Sequence, residues 1–272
     1  MTETIIHLTI VRHGNTNGNR RWLVEGNTDT PLNSGGKYQA ELVAKRLKNE
    51  HFNQICSSDQ SRAFDTATAI LKENNSGFSD ETRIEKCPSL RERHFGVAEK
   101  TMILQHRENA KKAGFKTTAQ ITHYVPEGGE SDSDVRKRVG IFLENLFANR
   151  MKLAKYKNPE WKVLIVSHGL TIREIIRCLV EDHGCTGIPD EILHDGMRLA
   201  KTPNTGVTQF SLKLDPENGR VISGTCTVLQ SKLHLQSSYE LVRKLMSAHQ
   251  TIIYYLEFLL AIFLYLLSKL GL

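Results

Sequence analysis

A chain of 272 residues, 39% hydrophobic and 24% charged, has apolar content for a sizeable core and shows no internal repeat or low-complexity tract. Its net charge of +6 and pI near 9.0 come from scattered lysines and arginines, not from a dense basic block. That argues against a nucleic-acid partner and fits a local pocket for anionic groups.

The first element is Leu8–Val11, an apolar run ending in Arg12-His13-Gly14. Thr9, Ile10 and Val11 are β-branched and suit a buried strand, and Gly14 turns the chain, leaving Arg12 and His13 at a sheet's carboxyl edge. Open α/β folds keep their ligand crevice there. Asn15–Arg21, with Gly18, reads as a polar loop over the site, and Asn19 lies near enough to fold back on His13. Turn formers fill Gly26–Leu32, and Asn33 or Ser34 caps a helix whose buried face is Ala40, Val43, Ala44 and Leu47.

Asn53–Ser57 is the next predicted strand and Ser61–Leu71 the next helix. Arg62 in that helix's first turn is unfavourable for the helix dipole unless an anion binds beside it. Glu92 sits in Leu90-Arg91-Glu92-Arg93, and the flanking arginines are expected to favour its ionised form when substrate is absent, while burial beside a bound phosphate is expected to push the other way and let it hold a proton. Lys100–Thr122 reads as a basic helical region and, with the segment to Ser131, as a cap over the crevice. A helix with Val135, Val139, Phe142, Leu143 and Leu146 on one face follows.

Trp161–Gly169 repeats the opening pattern: a continuous apolar run, as in a central parallel strand, then His168 and Gly169. Two strand-His-Gly units suggest neighbouring strands that present both histidines to one crevice. Ile172, Ile175, Ile176 and Leu179 then share a helix face. Lys201–Val207 is a turn, and Val207–Leu214 with Arg220–Leu229 forms an antiparallel hairpin.

The five cysteines, Cys56, Cys87, Cys178, Cys185 and Cys226, lack metal or redox spacing and read as reduced structural thiols. The first residues lack the pattern of a secretory signal, so the sequon at Asn74 is expected to carry no glycan. Residues 236–250 read as a linker. Ile252–Leu267 is apolar around its whole circumference apart from Glu257 and its tyrosines, and at ~1.5 Å per residue spans about 24 Å. With its neighbours in 251–272 it is expected to anchor the chain in the mitochondrial outer membrane or endoplasmic reticulum, with the catalytic domain in the cytosol.

In order along the chain stand Arg12-His13-Gly14, Asp29-x-Pro31-Leu32, Ser57-Ser58-Asp59 with Arg62 and Thr66-Ala67, Leu90-Arg91-Glu92 with Gly96, Gly129-Glu130-Ser131 with Arg138, and Ser167-His168-Gly169. This set resembles the histidine phosphatase superfamily, the phosphoglycerate-mutase-like fold. The Leu90–Arg93 segment, the Pro-x-Gly-Gly-Glu segment and the Thr202–Gly206 turn look most like the TIGAR-type fructose-2,6-bisphosphatases.

The resemblance implies an α/β three-layer sandwich over residues 1–235, with a mostly parallel central sheet, helices on both faces and a helical cap at about 98–134. The apolar C-terminal helix is extra to it. It further implies a phosphatase acting on a small sugar bisphosphate, with fructose-2,6-bisphosphate the first candidate. His13 would be the nucleophile, Glu92 the proton donor, and Arg12, Arg62 and His168 the groups around the phosphoryl oxygens. Asn19, Gly169 and Thr205 would contact substrate or phosphate, and neither metal nor cofactor is implied. Asn15 stands where the superfamily usually has Glu, so a more positive pocket is expected. The rival readings are a phosphoglycerate mutase or bisphosphoglycerate phosphatase, a membrane-tethered phosphoprotein phosphatase, and a non-catalytic scaffold. Oligomeric state is open.

Overall fold

The computed structural model describes residues 4–74, 84–153, 160–193 and 202–236. The chain divides into two compact units, Met1–Lys232 and Leu233–Leu272, and the site lies within the first. The expected anchor, 251–272, and all but Gln236 of the expected linker lie outside the described residues. Among the described residues no helix is long and apolar enough to cross a membrane.

The centre is a six-stranded mixed sheet of β1 (Thr4–Arg12), β2 (Gln54–Ser57), β3 (Ile84–Lys86), β4 (Glu160–Ser167), β5 (Val207–Leu214) and β6 (Val221–Ser231), in the order β3-β2-β4-β1-β5-β6. β1, β2, β3 and β4 run parallel, and β5 and β6 close the sheet as an antiparallel hairpin. The apolar runs of the sequence become β1 and β4 because both strands are covered on both faces. With side chains alternating across a strand, Ile6, Leu8, Ile10, Val163 and Ile165 enter one core, and Val11, Leu164 and Val166 enter the other.

The helices divide accordingly. α2 (Ser34–Leu47) and α3 (Ser61–Glu73) supply Val43, Ala44, Leu47, Ala63, Ala67 and Ile70 to one core. α6 (Asp132–Leu153) and α7 (Gly169–Arg177) supply Val135, Val139, Leu143, Ile172, Ile175 and Ile176 to the other. Burying one such aliphatic side chain stabilises by about 1.5–3 kcal/mol. Asn33 caps α2, its side chain accepting from the Gly36 amide at 2.7 Å, worth about 1 kcal/mol.

Two segments differ from the sequence reading. Asn17–Arg21, expected as loop, is a short helix (α1), because Thr16 Oγ1 accepts from the Asn19 amide and caps it. The region 100–122 holds two helices, α4 (Ile103–Lys112) and α5 (Thr118–Thr122). They are separated where Gly114 takes φ +96°, a conformation closed to most residues, and Thr117 opens a new capping box. A further short helix, α8 (Asp190–Leu193), precedes the hairpin.

Candidate active site

The parallel pairing of β1 with β4 sets Arg12 opposite Ser167, so His13 and His168 leave the sheet side by side. Their rings lie 5.0 Å apart, centroid to centroid, and both are buried. The turn after His13 depends on two glycines: a Cβ on Gly14 would lie 2.4 Å from the Gly36 carbonyl oxygen, and one on Gly36 would lie 1.9 Å from that of Asn15. The β1 loop therefore packs backbone against backbone on the first turn of α2.

His13 has its tautomer fixed by geometry. Its Nδ1 is 2.7 Å from the Gly14 carbonyl oxygen, which can only accept, so Nδ1 carries the proton and Nε2 keeps its lone pair. Burial, then the positive charges of Arg62 and Arg12, push its pKa well below the ordinary 6.5. His168 is pushed the same way by burial, then Arg62, His13 and Arg12. Both imidazoles are therefore neutral near pH 7, and the positive charge of the site resides on the two arginines.

Those arginines are held by backbone oxygens. Arg62 donates to the carbonyls of Thr28 and Gly26 at 2.8 Å each, and Arg12 to that of Thr202 at 2.6 Å. The Nε atoms of both are buried and unpartnered among the described residues. Burial lowers both pKa values, opposed by Glu92 and Glu25. Two buried guanidinium groups with unused donors are suited to an anion.

Glu92 is not neutralised by its sequence neighbours. Arg91 turns outward to Asp59 at 2.5 Å. Arg93 reaches the carbonyls of Thr122, Tyr124 and Glu130 and the carboxylate of Asp132, and so ties the cap to this loop. The Glu92 carboxylate instead accepts from the amides of Arg93, Leu170 and Thr171, at 2.9, 3.2 and 3.2 Å. The last two open α7, a helix N-terminus suited to a negative group.

Arg12, His13, Asn19, Arg62, Glu92 and Gly169 share the wall of one cavity of about 260 Å³. Leu23, Val24, Phe95, Ile103, Ile121 and Leu170 give the cavity an apolar side, and His106 and Arg107 of α4 add cationic or donor capacity.

A model of the histidine phosphatase superfamily (branch 1) matches residues 8–190. The chain belongs to that superfamily. The chain is 34% identical over 237 residues to fructose-2,6-bisphosphatase TIGAR B of Danio rerio, covering 77% of this chain and 88% of the relative. It is 32% identical to fructose-2,6-bisphosphatase TIGAR of Xenopus tropicalis, covering 84% and 94%. The mycobacterial glucosyl-3-phosphoglycerate phosphatase shares the fold, with a TM-score of 0.65, 24% identity, and coverage of 84% of this chain and all of that one. The protein is a phosphatase, hydrolysing phosphoric monoesters.

Within this histidine phosphatase, two sequence-derived site residues, His168 and Thr205, stand off the cavity wall. His168 is buried against His13, with Nε2 2.9 Å from Ser58 Oγ and Nδ1 unpartnered among the described residues. Thr205, at φ +56°, acts through its backbone, its amide donating to the Arg12 and His13 carbonyls at 3.0 and 3.3 Å. Asn15 lies outside the wall as well, as a node between Asn33, Gln39 and Asn204, so it does not set the pocket's charge directly.

Several contributors escaped the sequence reading. Glu25 lines the cavity and accepts from Thr16 Oγ1 and Asn19 Nδ2 at 2.7 Å each. Asn204 donates to the His13 carbonyl and to Asn19 Oδ1, both at 3.0 Å. A usable signal existed only for Ile103, His106 and Arg107, whose i, i+3, i+4 spacing places them on one helix face.

Proposed function

We propose that this phosphatase hydrolyses a small sugar bisphosphate, with fructose-2,6-bisphosphate the first candidate, through a phosphohistidine on His13. The observation that carries the reading is a neutral imidazole with a free Nε2 beside two buried arginines in one small cavity. Glu92 takes up a proton when the anionic phosphate binds beside it; His13 Nε2 then attacks phosphorus as the bond to the sugar oxygen breaks, and Glu92 gives that proton to the leaving oxygen. Water then gives its proton to Glu92 and attacks phosphorus. The P–N bond breaks, releasing phosphate and neutral His13. Arg12, Arg62 and the unpartnered Nδ1–H of His168 stabilise charge on the phosphoryl oxygens, each donor supplying about 3–4 kcal/mol.

A bisphosphate needs a second cation away from the reacting phosphate. Arg107 lines the cavity and forms no ion pair among the described residues, and we assign it that role. The named relatives act on fructose-2,6-bisphosphate, which fits a second phosphate there.

The test measures phosphate release from fructose-2,6-bisphosphate, phosphoglycerates and a phosphopeptide, together with phosphoglycerate isomerisation. Expected are preferred release from the sugar bisphosphate and acid-labile, alkali-stable phosphate on the protein during turnover. Arg107→Ala should raise KM for the bisphosphate about tenfold or more, with a smaller effect on a monophosphate. Normal turnover by His13→Ala would overturn the mechanism, and a preference for the phosphopeptide or isomerisation would overturn the substrate class.

A further inference from the structure

Cys56 and Cys87 are 31 positions apart, yet the parallel pairing of β2 with β3 brings them together. Cys56 is registered opposite Glu85, and Cys87 follows two residues after Glu85. With a side-chain period of two, all three point to one face at the edge of the sheet. Their ligand atoms, two Sγ and one carboxylate oxygen, all lie within 4.8 Å of one another, and Cys56 Sγ is 3.8 Å from Glu85 Oε2. Both cysteines are free thiols.

A tetrahedral ion with metal–sulfur bonds of about 2.3 Å keeps its ligands roughly 3.5–3.8 Å apart, so a small contraction would seat one. The local charge favours this. Among the described residues the Glu85 carboxylate has no ion pair; it accepts from the Gln54 amide, 3.1 Å from each oxygen, and from the Cys56 thiol. Lys86 is directed elsewhere, its Nζ 4.3 Å from the centroid of the Phe64 ring. Asp59 is already engaged by Arg91.

We infer that Cys56, Glu85 and Cys87 form a binding site for a single soft or borderline divalent cation of the zinc class, with water as fourth ligand. Two sulfur donors select against magnesium and calcium, which require oxygen ligands. Binding exchanges both thiol protons for the cation, whose two charges offset the two thiolates and leave the single charge of Glu85, so uptake should release protons and weaken as pH falls. The site lies outside the catalytic cavity. Its nearest link to it is the Cys87 amide, which donates to the Ser57 carbonyl at 2.7 Å, one residue before Ser58.

The test titrates the reduced full-length protein with Co²⁺, then with Zn²⁺ as competitor. Expected are a thiolate-to-cobalt charge-transfer band, the intense visible bands of a tetrahedral site, saturation at one ion per chain, and displacement by Zn²⁺. Cys87→Ser should abolish the charge-transfer band of the paired site, and Glu85→Gln should weaken apparent affinity about tenfold or more. Cys185→Ser, at a buried cysteine remote in sequence, should leave the spectrum unchanged. Turnover of a small aryl phosphate reports that each variant is folded. Absence of the band in the native protein, or its persistence unaltered in both Cys87→Ser and Glu85→Gln, would overturn the site.

Discussion

Ser58 Oγ lies 2.9 Å from His168 Nε2, and that hydroxyl also accepts from the Gln60 amide at 3.3 Å. Among the described residues Nε2 is the acceptor within reach of the hydroxyl proton, so Ser58 donates to it, which places the imidazole proton on Nδ1, the nitrogen without a partner among those residues. A hydroxyl outside the cavity wall thereby decides which face of His168 is a donor.

Ser58→Ala should therefore lower kcat about tenfold, the worth of one hydrogen bond that orients the ring, while leaving KM nearly unchanged. Ser58→Thr, which keeps the hydroxyl, should recover part of the loss. A change confined to KM would show that Ser58 acts on substrate binding and not on the tautomer. Steady-state kinetics on a small phosphate ester distinguish the two.

Both catalytic-site histidines have folded-state pKa values below the ordinary 6.5, chiefly through burial. The unfolded chain therefore binds more protons than the folded one below pH 6.5. Their contribution to stability is full above that value and is lost as pH falls from 6.5 towards the folded-state values. The slope is about 1.4 kcal/mol per pH unit for each histidine. His106, lowered by burial and by Arg93 and Arg107, adds in the same direction. Urea midpoints should fall between about pH 6.5 and pH 5.5, and His13→Asn should flatten the slope. A midpoint independent of pH over that interval would mean that the imidazoles accept protons in place.

The residues that announced the fold in the sequence were those whose surroundings are set by their own strand or helix. β1 and β4 are legible because Ile10, Val11, Ile165 and Val166 are buried from both sides, which leaves an unbroken apolar run. Asn33 is legible as a cap because it bonds three residues ahead. The partners of Glu92 are not legible, since Arg91 and Arg93 point away from it to Asp59 and Asp132, 32 and 39 positions distant. Glu25 and Asn204 are hidden for the same reason: each reaches the site through side-chain hydrogen bonds across loops, which carry no periodicity.

Asn15 directly follows Arg12-His13-Gly14, and its neighbours show what an asparagine does there. Asn204 uses its amide donors on the His13 carbonyl and on Asn19, which directs its Oδ1 at Asn15 Nδ2, 3.3 Å away. Asn15 Oδ1 accepts from Asn33 at 2.7 Å. Asn15→Glu would keep an acceptor for Asn33 but set a carboxylate against the Asn204 carbonyl. The expected cost is about 1–3 kcal/mol of stability, read as a lower urea midpoint. Asn15→Glu combined with Asn204→Ala should be less destabilised than the sum of the two single changes, because the opposed acceptor is then gone.

Glu92→Gln separates proton transfer from shape. Glutamine keeps an oxygen for the Arg93 and Thr171 amides, which share Oε1, and gives up only the 3.2 Å bond from the Leu170 amide to Oε2, so the loop and its link to the cap through Arg93 should survive. What is lost is a group able to hand a proton to the leaving oxygen and take one from water. With a sugar phosphate, whose leaving alkoxide needs that proton, kcat should fall about 100- to 10,000-fold. With an aryl phosphate the leaving group departs as a stable phenolate, so the first step is nearly spared and only hydrolysis of the phosphoenzyme suffers. Glu92→Gln should then show a burst of phenolate of one equivalent per site, followed by slow turnover and accumulated phosphate on His13. Equal losses on both substrates, with no burst, would mean that Glu92 only shapes the cavity and that the proton comes from another group, for which Glu25 is the other carboxylate on the same wall among the described residues.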